Sequence, residues 1–233
     1  MPAPFNIVSD TKINAKTRFI RIEPTNLSVT LREIFESLMD LSWLDQFKET
    51  PLYGSFRDRV APTLETIEKD FQKGTITTVG KDAGEKVVSE LAHQTVVSHL
   101  GYFDIPLSEL FKEQKGQNPG FDFLSMNNNN YVLLFGEAKY RSDKYAHWAS
   151  LDQIEAFIKE KKDSKDVANF LFFIPFEKYP QPYKNFENGE RGYIAAFSAK
   201  TMPDKELIND ITTRDSFKFI QQFPEVICIA VNV

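Results

Sequence analysis

Runs of nearly unbroken apolar residues constrain this chain more than anything else in it: YVLLF (131–135), GYIAAFSA (192–199) and VICIAVNV (226–233). A strand with one wet face alternates apolar and polar residues. A fully apolar strand has both faces covered, as in a parallel or mixed sheet. NFLFFIPF (169–176) reads as another such strand. Between these runs lie segments of helical period, so the order is helix, hairpin, helix, strand, strand, helix, strand. That order predicts the α/β class, a mixed central sheet flanked by helices on both sides.

The helices come from periodicity. Across Ala83–Leu100, at 100° per residue, Val87, Val88, Leu91, Thr95 and Ser98 fall on one face. Glu85 lies at the edge of that face, and Glu90 lies nearly opposite, towards solvent. His147–Lys162 is a second helix, with Leu151, Ile154, Phe157 and Ile158 as its apolar stripe and Gln153 on the flank. Asp204–Ile211 is a short third. Earlier, RFIRIE (18–23) alternates like a strand, while Leu27–Leu41 and Pro62–Lys73 read as helices. No linker separates these pieces from the rest. Residues 1–82 are therefore expected to be an N-terminal α/β elaboration on a core of 83–233, in one continuous domain.

Composition excludes several classes. With 42% hydrophobic and 26% charged residues the chain is an ordinary globular one, and no apolar run reaches the ~18 residues of a membrane span. MPAPFNIVSDTK lacks a charged-then-apolar leader, so export is not expected. The single Cys228, inside an apolar run, fits a reducing cytoplasm and offers no credible nucleophile. Net charge of −5 argues against a surface coated for non-specific nucleic-acid binding, though not against a local basic cleft. No Gly-rich phosphate loop is present, so ATP hydrolysis is not expected of this chain. Of the histidines, His93 is expected in solvent, His99 in the core, and His147 at the start of a helix as a cap. Their scatter makes no zinc pattern.

Chemistry concentrates in NPGFDFLSMNNNNYVLLFGEAKYRSD (118–143). Asparagine tolerates left-handed backbone, so NNNN reads as a turn joining Gly120–Met126 to Tyr131–Tyr140 in an antiparallel hairpin. Residues two apart on a strand point the same way. Asp122, Leu124 and Met126 thus share one side, as do Leu133, Phe135, Glu137 and Lys139. The pattern Glu-x-Lys also occurs at Glu113–Lys115 and Glu160–Lys162, but there it lies in polar or charged sequence. Only Glu137–Lys139 ends an apolar strand opposite another acid. Two carboxylates brought together resist one another unless a cation lies between them, and Mg²⁺ is commonly held by one or two carboxylates, waters and a substrate phosphate. A strand-end salt bridge is the plainer alternative. Downstream, KYRSDKYAHW mixes Lys139, Arg141 and Lys144 with Tyr140, Tyr145 and Trp148, which suits either a backbone-tracking groove or a solvated loop whose aromatics cap the core.

A helix with an acid at its start, then Asp, then Glu-x-Lys at the end of a hairpin, then a helix, resembles the PD-(D/E)xK, or restriction-endonuclease-like, nuclease superfamily. The likeness spans roughly Ala83–Pro175. It implies Mg²⁺- or Mn²⁺-dependent phosphodiester hydrolysis, with Asp122 and Glu137 as metal-binding acids and Lys139 orienting or activating water. By the same likeness Glu85 is a further metal- or water-positioning acid and Gln153 an added site residue. Arg141 and Lys144 become candidates for the nucleic-acid backbone. The literal Pro-Asp pair is absent, since Gly120 and Phe121 separate Pro119 from Asp122, and Asp104 is the alternative acid. More narrowly, AGEKVVSELA, GFDF and LLFGEAKYRSDKYAHWASLDQI are similar in order to nuclease subunits of Hachiman antiphage systems. That likeness implies DNA (RNA being the other choice) as substrate, and a helicase, another defence-complex subunit or a second copy as partner. The alternative from another class is a non-cutting binding subunit.

Overall fold

The computed structural model describes residues 5–73, 81–112, 120–141, 145–199 and 202–233. In chain order its elements are β1 (Phe5–Lys12), β2 (Thr17–Pro24), α1 (Leu27–Met39), α2 (Leu52–Lys73) and α3 (Lys81–Ser98). Then come α4 (Ser108–Phe111), β3 (Phe123–Met126), β4 (Leu133–Lys139), α5 (Ala146–Lys159), α6 (Lys162–Phe170) and α7 (Gln181–Glu187). β5 (Arg191–Ser198), α8 (Asp204–Thr213), α9 (Asp215–Ile220) and β6 (Glu225–Val231) complete the chain. Among the described residues the strands form one six-stranded sheet in the order β1-β2-β6-β5-β4-β3. Its four central strands, β2, β6, β5 and β4, run parallel, and β1 and β3 are antiparallel edges.

The apolar runs do fill the middle of the sheet, and each strand feeds two cores. Leu133 and Phe135 of β4, Tyr193 and Phe197 of β5, and Cys228 of β6 face the side of α5, α6 and α9. Leu134 and Ala138, Ile194, and Ile227 and Ile229 face α1, α2 and α3. Phenylalanine makes the first core dense. Phe121 packs 5.2 Å from Phe135 and 5.1 Å from Phe157, and Phe135 packs 5.3 Å from Phe170, centroid to centroid. Each such ring contributes about 1.5–3 kcal/mol by leaving water, and together they dry the region beneath the end of β4.

Several expectations are corrected. The run 169–176 is not a strand. Asn169 and Phe170 close α6, and the next residues turn on hydrogen bonds from Phe173 and Ile174 N–H to the Phe170 carbonyl. Phe170, Phe173 and Ile174 are buried there while Leu171 and Phe176 are exposed. A short apolar run has no period that separates strand from buried turn. α2 begins ten residues before Pro62, at Leu52, carrying that proline inside it. In the NNNN turn the left-handed residue is Tyr131 (φ 59°), not an asparagine. The asparagines serve by their side chains, Asn127 Oδ1 accepting from Asn129 N–H and Asn130 Oδ1 from Val132 N–H.

The N-terminal segment sets the environment of α3. β1 and β2 extend the sheet through β6, and α1 and α2 cover the far side of α3. Glu90 is therefore buried, not solvent-facing, and accepts from Ser37 Oγ and Gln94 Nε2, both at 2.7 Å. His93 is buried as well, and His99 is the exposed one, bonded to Asp10 at 2.7 Å. Ser98, assigned to the apolar face, is exposed. A wheel drawn for a helix with one dry side fails when a second layer covers the other. His147 lies inside the first turn of α5 and is buried against Asp210, 3.0 Å away, so it is no cap. Among the described residues no helix is long and apolar enough to cross a membrane.

Candidate active site

β4 ends where the parallel strands deliver their carboxyl ends, and there the core gives way to charge. Glu137 pairs across the sheet with Ala195, and Lys139 with Phe197. Glu137 is only 1% exposed. Its Oε1 lies 2.8 Å from Lys139 Nζ, and its buried Oε2 has no hydrogen-bond partner among the described residues. Lys139 Nζ also lies 3.5 Å from Oε1 of Glu85, whose side chain is half exposed on the first turns of α3. From the other side, Ser150 Oγ on α5 donates to the Glu137 carbonyl at 2.9 Å and ties the helix to the strand end.

Asp122 reaches the same place by an unexpected route. Strict alternation would put it beside Leu124 and Met126. Instead Phe121 takes that face, packed with Leu124 in the core under α5, because the chain bends at Asp122. Asp122 N–H still donates to the Gly136 carbonyl at 2.9 Å, and its own carbonyl accepts from Ser108 N–H at 2.8 Å. The carboxylate turns to the end of the hairpin, where Oδ2 accepts from Ala138 N–H at 2.7 Å. Asp122, Glu137, Lys139 and Glu85 thus share one electrostatic site.

Burial pushes the Asp122 carboxyl up to about 6, against the pull of Lys139 and the Ala138 N–H. Burial, followed by the Asp122 charge, pushes Glu137 well above the usual carboxylate range. Burial works against the Lys139 ammonium, yet Glu137 and Asp122 outweigh it and hold its pKa above the ordinary value. More negative charge stands nearby. Glu109, raised by burial, faces Lys86 at 3.4 Å, and Lys86 stands 3.6 Å from Asp70.

Two glycines permit the close packing. A Cβ on Gly136 would stand 2.3 Å from the Phe123 ring, and one on Gly84 would stand 2.1 Å from the Tyr140 ring. Tyr140 therefore lies against the start of α3, next to Glu85.

The remaining candidates are more peripheral. Gln153 is half-buried on α5 with no hydrogen bond to the acids among the described residues. Arg141 is exposed just past β4, its backbone N–H and carbonyl both bonded to Ser198 Oγ at 3.0 Å. Lys144, Pro119 and the Glu113–Lys115 pair lie outside the described residues. Asp104, the alternative acid, is exposed and faces His93 at 3.3 Å, away from the cluster. Burial pushes the Cys228 thiol up to about 12, which makes it inert.

Sequence patterns missed Lys112 and Asp166. Lys112 Nζ donates to the Phe121 carbonyl at 2.9 Å and to Asp166 Oδ2 at 2.8 Å, beside the bend that aims Asp122. Neither sits in a motif; only Gly120, a glycine at the foot of a strand, signals a close approach.

No protein-family model, curated protein or solved structure matches this chain.

Proposed function

We propose that this chain is a metal-dependent nuclease, hydrolysing phosphodiester bonds in DNA as an effector of antiviral defence or restriction, on a restriction-endonuclease-like sheet. One observation carries the proposal: Glu137, a buried carboxylate with one oxygen unpartnered among the described residues, shares a strand end with Asp122 and Lys139. Buried acids held this close are costly when both are charged, and a divalent cation relieves that cost. Asp122 and Glu137 would hold Mg²⁺ or Mn²⁺, with Glu85 at the exposed mouth. Among the described residues no three His, Cys, Asp or Glu side chains are grouped to hold a metal, and Mg²⁺ fits this smaller donor set because it keeps several waters. The ion would supply Lewis acidity and a bound water acidified towards neutral pH.

The chain's own groups do the rest. Lys139, a cation held between Glu137 and Glu85, orients the attacking water or stabilises charge growing on the phosphate. Arg141, exposed at the rim, neutralises a flanking phosphate. RNA differs only as substrate, and the same site would serve it.

A non-cutting assembly subunit, working beside a helicase or another copy of itself, is the second reading. It is favoured by the Lys139 ammonium already occupying Glu137 Oε1 and by the net charge of −5.

Plasmid and phage DNA incubated with Mg²⁺, Mn²⁺ or EDTA separate the two. Cutting that needs metal, and that falls at least ~100-fold in folded Glu137→Ala and Lys139→Ala, is the expected result. Cutting that survives both changes removes the site assignment. Wild-type protein that cuts neither DNA nor RNA, alone or with a helicase partner, leaves the second reading.

A further inference from the structure

Three features outside the acidic pair converge on the residue preceding Asp122. Lys112 Nζ donates to the Phe121 carbonyl at 2.9 Å and to Asp166 Oδ2 at 2.8 Å, and the same Asp166 oxygen accepts from Phe121 N–H at 3.0 Å. Two side chains from distant parts of the sequence thus hold both backbone groups of one residue. Gly120 lets them approach: a Cβ there would stand 2.8 Å from Asp166 Oδ2 and 3.0 Å from Lys112 Nζ. Both side chains are largely buried, 16% and 12% exposed. A buried ion pair adds little net stability over apolar residues of the same size, so its role is read from what it orients.

What it orients is the bend. Phe121 and Leu124 lie in one core although they are three positions apart, an odd offset that strict alternation would send to opposite faces, and Phe123 lies in the other. Without the bend the Asp122 side chain would follow Leu124 to the face of α5, and Ala138 N–H would lose its carboxylate acceptor. We infer that Lys112 and Asp166, seated against Gly120, are positioning residues whose clamp on Phe121 aims the Asp122 carboxylate at the end of β4. The role given to that carboxylate rests on the nuclease proposal, whereas the clamp is a matter of backbone geometry. The Lys112 ammonium also lies within electrostatic reach of Asp122 and Glu137, so it offsets part of their mutual repulsion.

The test uses the full chain with Gly120→Ala, Asp166→Ala and Asp166→Asn, reading amide exchange by NMR and Mn²⁺ affinity by calorimetry. Exchange at Ala138 rises about tenfold or more in Gly120→Ala and Asp166→Ala, as loss of a hydrogen bond to a charged group requires. Amides in β5 and β6 keep their protection, and Mn²⁺ binding weakens by a similar factor. Asp166→Asn, which retains an acceptor for Phe121 N–H, restores Ala138 protection. Lys112→Met replaces Gly120→Ala if the latter does not fold. Unaltered Ala138 exchange in folded variants overturns the clamp, as does a uniform rise across the whole sheet. Wild-type protein that binds no Mn²⁺ defeats the metal-site proposal instead, and Ala138 exchange alone then decides the clamp.

Discussion

Lys139 Nζ meets Glu137 Oε1 at 2.8 Å, with the lysine side chain 16% exposed and the glutamate 1%. The pair is therefore asymmetric. Lys139 has a second acid, Glu85, and a route to water, while Glu137 has Lys139 as its cation and one oxygen with no hydrogen-bond partner among the described residues.

Removing each partner should have unequal cost. Lys139→Met leaves a buried carboxylate uncompensated and should cost about 3–5 kcal/mol at pH 8. The cost should shrink on going to pH 5, because burial raises the Glu137 pKa and so eases its neutralisation by a proton. Glu137→Gln removes the buried charge itself and should cost less than about 1.5 kcal/mol at either pH. Urea unfolding at both pH values measures this, and equal losses at pH 8 would refute the asymmetry.

Asp122 should destabilise the fold at neutral pH. Its folded-state pKa is raised from 3.8 to about 6 by burial, so the native state binds more protons than the unfolded one between those values. Stability then falls as pH rises through that window. Asp122→Asn, which keeps an acceptor for Ala138 N–H, should be more stable than wild type by about 1–3 kcal/mol at pH 7. That advantage should vanish below pH 3.8. Millimolar Mg²⁺ should raise the wild-type Tm and leave the variant's unchanged. A variant less stable than wild type at pH 7 would contradict the assignment.

His93 works in a higher window. Its ring lies 3.8 Å from Glu90 and 3.3 Å from Asp104, with Phe123 against it at 6.3 Å. Burial opposes the imidazolium, but Asp104 and Glu90 prevail and raise the pKa from 6.5 to about 9. Its contribution is full below pH 6.5 and is lost as pH rises through 9. Up to about 3 kcal/mol is at stake. His93→Gln should flatten stability across that interval. A slope unchanged by the substitution would show that His93 is neutral in the folded protein.

Gly136→Ala tests the tightness of the hairpin. The added methyl meets the Phe123 ring at 2.3 Å, and that ring is wholly buried. Overpacking of this kind costs about 1–3 kcal/mol, read as a lower urea midpoint. A neutral result would mean that Phe123 has room to move.

Much of this was legible in the residues. The apolar strands 192–199 and 226–233, the hairpin about NNNN, and the helices over α1, α3, α5 and α8 come from local period and composition. Glu137 and Lys139 share a site because both sit on one short strand, where spacing alone dictates direction.

Spacing could not place Asp122. Period two, continued from the Leu124–Phe135 pair, puts it opposite Glu137 on the face that Phe121 occupies. The bend, beside the hold of Lys112 and of Asp166, 45 positions away, on Phe121, turns its carboxylate to the Ala138 N–H instead. Glu90 and His93 went the same way: nothing in α3 itself announces that α1 covers its outer side. Local sequence determined the strands, the turn and the acid-lysine pair, because backbone geometry carries those over a few residues. Which carboxylates lose water, and so which bind protons or cations strongly, depends on groups distant in the chain, and only the packed tertiary structure decided it.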